Sequence, residues 1–538
     1  MHEGKDTSTS ASEEYQWNLP STFNFGRDVV DAIAHVEPDK LALIWRDGAG
    51  NERRFSFGEI ARRSSQLAAL LAAEGVERGE RVLVMLPRLP QWQIAMVGCI
   101  KLGAIPIPCI DMLTEKDVLY RARHAKAVAA ITTGSSVAKF ANSNNLRARI
   151  ALGGASGWID FERALDTQPG EFVCADTGID EPAILYYTSG STGPPKGVTH
   201  AARSLYCWRG SARDWLDLRA DDLIWCTADT GWSKAGTSIL FGPWSCGAAV
   251  FFYHGRFDAA ERLRLIARMK VTVFCGAATE FRQLVNEDFS RVDLSHLRLT
   301  VSAGESVNPE VIRRWQNLAA VPLVEAYGQT ETLMTAGNRL HTPTKPGSMG
   351  RALPGCRLVV LDPDGRPAPT GERGELALVL PNPQLMLGYW DDPERTARSR
   401  VSRDGVEYFL TGDLTHMDAD GFVFYEGRAD DVISSAGYRI GPTEVENALQ
   451  EHPAVTECAV VASPDAERGE IVKAFVVLRQ GFAPSASLAR ELQEHVKQTT
   501  APYKYPRAIE FLLELPKTST GKLLRRALRD AEYAKAAL

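Results

Sequence analysis

Residues 186–197 read Tyr-Tyr-Thr-Ser-Gly-Ser-Thr-Gly-Pro-Pro-Lys-Gly, and this stretch constrains the fold more than any other. The apolar residues 183–185 before it predict a buried strand. Apolar side chains recur at helical spacing after it: Leu205, Trp208, Ala212 and Trp215. Glycines let backbone N–H groups turn toward one space, where hydroxyls and a lysine add to the attraction for an anion. We therefore predict a polyphosphate-binding loop made of Thr188, Ser189, Gly190, Ser191, Thr192, Gly193 and Lys196.

Two other interpretations of this loop are weaker. A flexible surface turn rich in glycine and serine has no need of two prolines and a lysine directly behind a buried strand. A Walker A loop requires Gly-x-x-x-x-Gly-Lys-Ser/Thr, whereas Lys196 follows a proline and precedes a glycine. We therefore predict a phosphate-binding loop that uses glycines and a lysine, as a Walker A loop does, but is of another type.

The length of 538 residues exceeds what one hydrophobic core holds and predicts at least two domains. A net charge of −6 argues against a general nucleic-acid or membrane-surface binder, and no apolar run reaches the length of a membrane span. Nine scattered cysteines without a Cys-x-x-Cys pair predict reduced thiols. Residues 1–14 resemble neither a signal peptide nor a transit peptide, so we expect a disordered tail over residues 1–18 and a cytoplasmic protein.

Strands alternate with helices along most of the chain. Ser56 and Glu59 form a capping-box pattern that opens one helix, and Pro90 opens another that Gly103 ends. Apolar runs between such helices predict strands at residues 81–86, 127–132, 271–275 and 299–302. This alternation predicts an α/β fold with mostly parallel sheets. We expect this large N-terminal domain, built of α/β subdomains, to span residues 19–428.

A polar, turn-like stretch at residues 426–431 marks the expected domain boundary. Beyond it the pattern predicts a helix from Pro442, strands at residues 455–462, 471–478 and 509–513, and a helix at residues 488–496. Residues 429–538 therefore form a small α+β domain. Near its end, Lys522 follows a turn-forming Thr-Gly that presents it at a loop tip, while Lys517, Arg525 and Arg526 fit a solvated basic segment.

A second polar loop follows the strand predicted at residues 322–327. Tyr327 can stack on a purine, Thr330 can bond an α-phosphate, and Glu331 can hold Mg²⁺, which prefers carboxylate and phosphate oxygens. Farther along, Asp413 follows a glycine; it is either a turn residue or an acceptor for both hydroxyls of a ribose. Together with the first loop, these residues predict a nucleotide site.

These motifs follow one another in the order of the adenylate-forming superfamily, which includes acyl-CoA synthetases, peptide-synthetase adenylation domains and firefly luciferase. The stretches that resemble it are residues 188–196, 327–331, 411–413, 427–431 with 437–439, and 516–522. The resemblance covers nearly the whole chain after the tail. Residues 230–234, 434–441 and 500–507 are similar to the medium-chain acyl-CoA synthetases in particular.

The resemblance implies a reaction in two steps. A carboxylate attacks the α-phosphate of Mg·ATP and gives acyl-AMP and pyrophosphate. The small domain then rotates about Asp430, and the thiol of CoA attacks the acyl-AMP to give a thioester and AMP. The implied partners are a small carboxylic acid, ATP and CoA, with Mg²⁺ as cofactor and no nucleic acid. The candidate assembly is a homodimer.

The resemblance also assigns roles residue by residue. The catalytic residues are Lys522, Thr330, Glu331 (which holds Mg²⁺) and Lys196. The other ATP and AMP contacts are the remainder of the phosphate loop with Gly304, Glu305, Ser306, Glu325, Ala326, Tyr327, Gly328, Gln329, Asp413, Arg428 and Arg439. The acyl pocket is expected to contain Trp232, Gly276, Ala277 and Gly304. Core packing is an equal alternative for Trp232 and Gly276, and it is the more common role of a single alanine such as Ala277. The CoA contacts are Ala436, Gly437, Tyr438, Arg468, Lys497 and Tyr505.

Three positions depart from the medium-chain pattern, which often has Ser, Pro and Ser where this chain has Gly276, Ala278 and Ala436. The first two departures leave the chain-length preference open. Other activities also remain: an acyl-AMP ligase that loads the phosphopantetheine of a carrier protein, a luciferase-type oxygenase that shares the first step, and a non-catalytic nucleotide sensor. The sensor is disfavoured because Lys196, Glu331 and Lys522 are all present.

Overall fold

The computed structural model describes residues 15–188, 194–428, 431–435, 438–465, 468–500, 502–517 and 523–536. The chain divides into two compact units. The first unit comprises Met1–Arg357 and Leu380–Arg400, and the second comprises Leu358–Val379 and Val401–Leu538. The domain boundary expected between residues 428 and 429 falls inside the second unit, beside residues outside the described ones, and stays a prediction.

The strands are numbered here in chain order. They begin with β1 (Leu41–Asp47), β2 (Glu52–Ser56), β3 (Arg81–Val84), β4 (Ile105–Pro108), β5 (Ala129–Thr133), β6 (Ala148–Leu152), β7 (Ile159–Asp160), β8 (Pro182–Thr188), β9 (Lys196–Ala201), β10 (Leu223–Cys226), β11 (Ala249–His254), β12 (Val273–Cys275), β13 (Leu299–Ala303), β14 (Leu323–Gln329), β15 (Leu333–Gly337) and β16 (Arg351–Ala352). They continue with β17 (Leu358–Leu361), β18 (Arg373–Val379), β19 (Gly388–Tyr389), β20 (Arg400–Arg403), β21 (Val406–Met417), β22 (Val423–Arg428), β23 (Ile433–Ser435), β24 (Tyr438–Ile440), β25 (Val455–Asp465), β26 (Gly469–Leu478) and β27 (Ala508–Leu512).

The α-helices are numbered in the same way. They are α1 (Ala32–Val36), α2 (Phe57–Ala73), α3 (Pro90–Leu102), α4 (Glu115–His124), α5 (Phe161–Asp166), α6 (Ala202–Asp214), α7 (Ser233–Ala235), α8 (Phe241–Ser245), α9 (Ala259–Arg268), α10 (Ala278–Leu284), α11 (Pro309–Ala319), α12 (Pro393–Arg398), α13 (Pro442–Glu451), α14 (Ala486–Thr499) and α15 (Arg525–Ala536). Short π-helical segments are Gly26–Asp31 and Gly236–Leu240, and short 3₁₀ segments are Gly134–Phe140 and Pro502–Lys504. No helix among the described residues is long and apolar enough to cross a membrane.

The described part of the first unit contains three sheets. The largest has the strand order β16-β15-β14-β13-β12-β10-β11-β1-β2, and its strands from β14 to β1 are parallel, with antiparallel edges. The second, β4-β3-β5-β6-β7, is parallel throughout. The third, β19-β9-β8, is small and antiparallel. The predicted α/β class with mostly parallel sheets is confirmed.

Local signals in the first unit act as the sequence predicts. The hydroxyl of Ser56 accepts the backbone N–H of Glu59 at 3.2 Å at the start of α2. Gly103 ends α3 in the left-handed region, with φ of 78°. The apolar face of α6, which includes Leu205 and Trp208, is buried in the main core of this unit. The apolar face that the sequence predicts for α6 is therefore the face that packs into the core.

The second unit contains the smaller sheets. One has the order β17-β18-β21-β20, with β22 beside β21, and the other has the order β24-β23-β26-β25, with β27 beside β26. Helices α13 and α14 contribute Val445, Leu449 and Leu492 to the core of the second of these sheets. The elements predicted for a small C-terminal α+β domain are thus present in this unit.

Strand β9, which the sequence does not predict, lies between the phosphate loop and α6 and pairs with β8 in a hairpin. The turn alternative for Asp413 is wrong, because the Thr411-Gly412-Asp413 stretch lies inside β21. Gly412 has φ of +71°, and a β-carbon there would meet Arg428 Nη2 at 2.7 Å, so this position of the strand requires a glycine.

Candidate active site

The ends of the predicted phosphate loop lie opposite each other in the β8–β9 hairpin. Thr188 is the last residue of β8, and it pairs with Lys196, the first residue of β9. Residues 189–193 lie outside the described residues. Helix α4 contacts the end of the loop, since the hydroxyl of Tyr120 donates to the carbonyl of Pro195 at 3.0 Å. The hairpin therefore fixes where the loop begins and ends.

Thr330 and Glu331 lie in the tight turn that joins β14 to β15. A β-carbon at Gly328 would meet the carbonyl oxygen of Leu333 at 2.0 Å, so only glycine allows this close approach of the two strands. Leu333 has φ of 58°, a costly conformation for a residue with a side chain. The surrounding contacts must hold this turn in place.

One of those contacts comes from His200 in β9, which the sequence analysis did not select. Its Nε2 lies 2.6 Å from the carbonyl oxygen of Thr330. Burial lowers the pKa of His200 to about 4, so the ring is neutral near pH 7. Because a carbonyl only accepts, Nε2 carries the proton and donates it. The Thr330 hydroxyl also lies 3.1 Å from the hydroxyl of Ser233.

The Glu331 carboxylate is bonded by a tyrosine from β19. The Tyr389 hydroxyl donates to Glu331 Oε1 at 2.9 Å, and the Lys196 ammonium lies 5.6 Å from the centre of the same ring. The described residues hold no group of three or more His, Cys, Asp or Glu side chains that could bind a metal ion. One carboxylate fits Mg²⁺, because that ion takes most of its ligands from phosphates and water in nucleotide sites.

The residues assigned to adenine differ in exposure. Gly304, Glu305 and Ser306 follow β13 at the surface, and Gly304 has φ of +94° with no atom within 4 Å of a β-carbon built there. Glu325, Ala326 and Tyr327 lie in β14 and are buried, and Gly328 and Gln329 complete this strand. These residues lie at or near the carboxyl ends of β13 and β14, the edge at which open α/β sheets generally bind ligands.

Charged groups lie near the residues assigned to the acyl pocket. Trp232 directly precedes α7 and is partly buried, while Gly276 and Ala277 join β12 to α10. A β-carbon at Gly276 would lie 3.1 Å from Glu280 Oε2. Glu280 is in turn held by Arg262 at 3.1 Å. The space that a glycine opens is thus bordered by a carboxylate, which the sequence analysis did not predict.

The pair assigned to the ribose lies in the second unit. Asp413 in β21 faces Arg428 in β22, and Arg428 Nη1 donates to Asp413 Oδ1 at 3.0 Å. The same nitrogen donates to the carbonyl of Thr411 at 3.1 Å. Asp413 is only 4% exposed, so the guanidinium compensates a charge that burial would otherwise disfavour.

The residues assigned to CoA are described in part. Lys497 lies in the last turn of α14, with its ammonium 4.3 Å from the ring centre of Tyr505. Arg468 lies in the turn before β26, and its backbone N–H bonds Asp465. Tyr438 and Arg439 belong to β24. Asp430, Ala436, Gly437 and Lys522 lie outside the described residues.

Arg525 is not part of a solvated basic segment, so this expectation is wrong. Its guanidinium bonds both carboxylate oxygens of Glu446, at 2.9 and 2.5 Å, and Glu446 is 5% exposed. This bidentate pair joins the start of α15 to α13 in the second unit.

Known proteins resemble this chain over nearly its full length. It matches the AMP-binding enzyme family over residues 30–390 and the AMP-binding enzyme C-terminal domain over residues 444–522. It is 41% identical to acyl-coenzyme A synthetase ACSM3, mitochondrial, of Mus musculus, over 97% of this chain and 93% of that protein. It is 42% identical to acyl-coenzyme A synthetase ACSM4, mitochondrial, of Homo sapiens, over 96% of this chain and 91% of that protein.

Two solved structures show the same fold. The anthranilate CoA ligase AuaEII in complex with anthranoyl-AMP has a TM-score of 0.89 and 31% identity, over 97% of this chain and 99% of that one. The benzoate CoA ligase from Burkholderia xenovorans LB400 has a TM-score of 0.84 and 29% identity, over 94% of this chain and 100% of that one. The chain belongs to the AMP-binding enzyme family. Within it, the chain is an acyl-CoA synthetase, a carboxylic acid–CoA ligase that forms an acyl-AMP intermediate.

Proposed function

We propose that this enzyme converts a medium-chain fatty acid or an aromatic carboxylic acid to its CoA thioester and releases AMP and pyrophosphate. The observation that carries this proposal is the turn at Thr330 and Glu331. It lies at the carboxyl edge of a parallel sheet. Tyr389 contacts the Glu331 carboxylate through its hydroxyl and the Lys196 ammonium through its ring. The names anthranilate CoA ligase and benzoate CoA ligase, carried by two similar structures, support the aromatic alternative.

The first step joins two anions, so it needs positive charge between them. The carboxylate oxygen attacks the α-phosphorus, the bond to the β-phosphate breaks, and pyrophosphate leaves. In our proposal Lys522 lies between the carboxylate and the α-phosphate, where it removes their repulsion and stabilises the charge that spreads over the phosphate oxygens. Mg²⁺ held by Glu331 supplies further positive charge at the phosphates when bound. No general base is needed, because the nucleophile is already an anion.

The remaining assignments are part of the same proposal. The phosphate loop and Lys196 bind the β- and γ-phosphates, residues 304–306 and 325–327 surround adenine, and Asp413 with Arg428 binds the ribose. In the second step the CoA thiol attacks the acyl carbonyl, loses its proton, and displaces AMP. Lys497 and Tyr505, which lie together in the second unit, would contact CoA.

Location and assembly are also proposals. We propose a cytoplasmic enzyme, although the relatives named above carry the word mitochondrial in their names. Fractionation of cells that express the full chain tests the location. We propose a homodimer, and sedimentation equilibrium tests it, since a single species at the monomer mass would contradict it.

The function itself is tested by pyrophosphate release with ATP, Mg²⁺ and CoA across acids from acetate to long-chain fatty acids, with benzoates included. We expect a maximum at medium-chain or aromatic acids, with CoA consumed in equal amount. Pyrophosphate release that leaves CoA untouched would favour a carrier protein as acceptor. Nucleotide binding without pyrophosphate release for any acid would favour the sensor.

A further inference from the structure

We propose that Tyr389 is a positioning residue for the Mg·ATP site. Its hydroxyl orients the carboxylate of Glu331, and its ring supports the ammonium of Lys196. Tyr389 thereby couples the carboxylate that holds the metal to the lysine of the phosphate loop. This inference rests on the proposed function, in which Glu331 holds Mg²⁺.

The contacts of Tyr389 place it between the two groups. Its hydroxyl donates to Glu331 Oε1 at 2.9 Å, and the ammonium of Lys196 lies 5.6 Å from the ring centre. The guanidinium of Arg395 lies 5.8 Å from the same centre. Cations at these distances are attracted to the electron-rich face of an aromatic ring. One side chain therefore binds an anion at its tip and attracts cations at its face.

The backbone fixes where this ring lies. Tyr389 pairs with Val198 of β9, two residues beyond Lys196, and its N–H donates to the Thr396 hydroxyl at 2.9 Å. Near the turn, the N–H of Met386 donates to the carbonyl of Glu331 at 2.8 Å. The segment that carries Tyr389 is thus anchored both to the phosphate-loop strand and to the turn that carries the carboxylate.

The hydroxyl of Tyr389 engages only one oxygen of the carboxylate. Among the described residues, no group bonds the other oxygen of Glu331, Oε2. A carboxylate held by one oxygen presents the second in a fixed direction, which suits a metal that demands near-ideal octahedral geometry. Hydrogen bonds to metal-binding carboxylates orient them and tune the affinity of the site. Tyr389 is therefore suited to act through Glu331 and not on the substrate itself.

The test measures ATP binding by titration calorimetry without acid or CoA, so that no turnover occurs. Wild type, Tyr389→Phe and Tyr389→Leu are each titrated in Mg²⁺ and in EDTA. We expect Tyr389→Phe to weaken ATP binding about 10- to 100-fold in Mg²⁺, which is the usual effect of removing a group that hydrogen-bonds to a metal ligand. ATP binding in EDTA should be unchanged. Tyr389→Leu also removes the ring, and it should weaken binding in EDTA by about 3-fold as well.

Two controls separate orientation from folding. Tyr533→Phe removes a tyrosine hydroxyl that donates to Glu470 in the other unit, and it should leave both titrations unchanged. The double variant Tyr389→Phe/Glu331→Gln should bind Mg·ATP no more weakly than Glu331→Gln alone, because Tyr389 acts through that carboxylate.

Two results would overturn the inference. One is a Tyr389→Phe variant that keeps the wild-type response to Mg²⁺, and the other is an equal loss of binding in Mg²⁺ and in EDTA. Either would leave the proposed function intact. Wild-type binding that does not respond to Mg²⁺ would instead overturn the metal assignment in the proposed function, and this inference with it.

Discussion

Replacing Glu325 by glutamine removes a buried carboxyl group from β14 with little change in size. Glu325 is 7% exposed, and its Oε1 accepts the backbone N–H of Val307 at 2.7 Å. Burial raises the pKa of this carboxyl to about 7, because the charged form loses its hydration. Glutamine keeps a carbonyl acceptor but cannot ionise. The two proteins should therefore differ mainly in how their stability depends on pH.

The sign follows from the direction of the pKa shift. The folded pKa lies above the unfolded one, so the fold favours the protonated group, and this stability is present at low pH and lost as the pH rises through about 7. A shift of about 2.5 units corresponds to about 3 kcal/mol, of which about 2.5 kcal/mol falls between pH 5 and 8. Over that interval the free energy of unfolding should fall by this much more in wild type than in Glu325→Gln.

Tryptophan fluorescence during urea unfolding measures this difference, because all 11 tryptophans lie in the unit that contains Glu325. Unfolding free energies are compared at pH 5, 6, 7 and 8. Glu171→Gln, at an exposed glutamate of the same unit, should follow the wild-type pH dependence. Parallel curves for wild type and Glu325→Gln would refute the reasoning, since Glu325 would then not change its protonation in this range.

Two further predictions concern catalysis. Lys522→Ala should abolish acyl-AMP formation yet leave thioester formation from supplied acyl-AMP largely intact; equal loss of both half-reactions would contradict its assigned role. His200→Phe should slow acyl-AMP formation about 10-fold, because the loss of one hydrogen bond of about 1–1.5 kcal/mol leaves the Thr330 carbonyl unpaired; single-turnover pyrophosphate release measures this, and an unchanged rate would show that the turn holds without His200.

The fold class was predictable from sequence because it depends on local patterns. Apolar runs, capping residues and glycines act over a few positions, and α2 and α3 begin and end near the residues that carry these signals. Strand β9 was not predictable, since its sequence, Lys-Gly-Val-Thr-His-Ala, has little apolar content and becomes a strand by pairing with β8. Tertiary pairing overrides weak local propensity in such cases.

Most of the groups that support the candidate site were beyond sequence reasoning for a related physical reason. Tyr389 and Glu331 are 58 residues apart, and His200 and Thr330 are 130 apart. No periodicity connects such positions, because the contacts exist only once separate strands have paired. The motif residues could be assigned from sequence because phosphate binding concentrates glycines, hydroxyls and a lysine within one short loop, and their binding roles stay predictions.

The small sheet β19-β9-β8 carries two of the side chains that bond to the strained turn between β14 and β15. Thr188 and Lys196 lie at the ends of the phosphate loop on β8 and β9, His200 on β9 bonds Thr330, and Tyr389 on β19 bonds the neighbouring glutamate. Groups fixed before the reaction need no reorganisation when charge develops at the α-phosphate. Because one antiparallel sheet positions both segments that we propose to bind phosphates, variants of its supporting side chains should lower the rate of acyl-AMP formation and leave the proposed CoA contacts of the second unit unaffected.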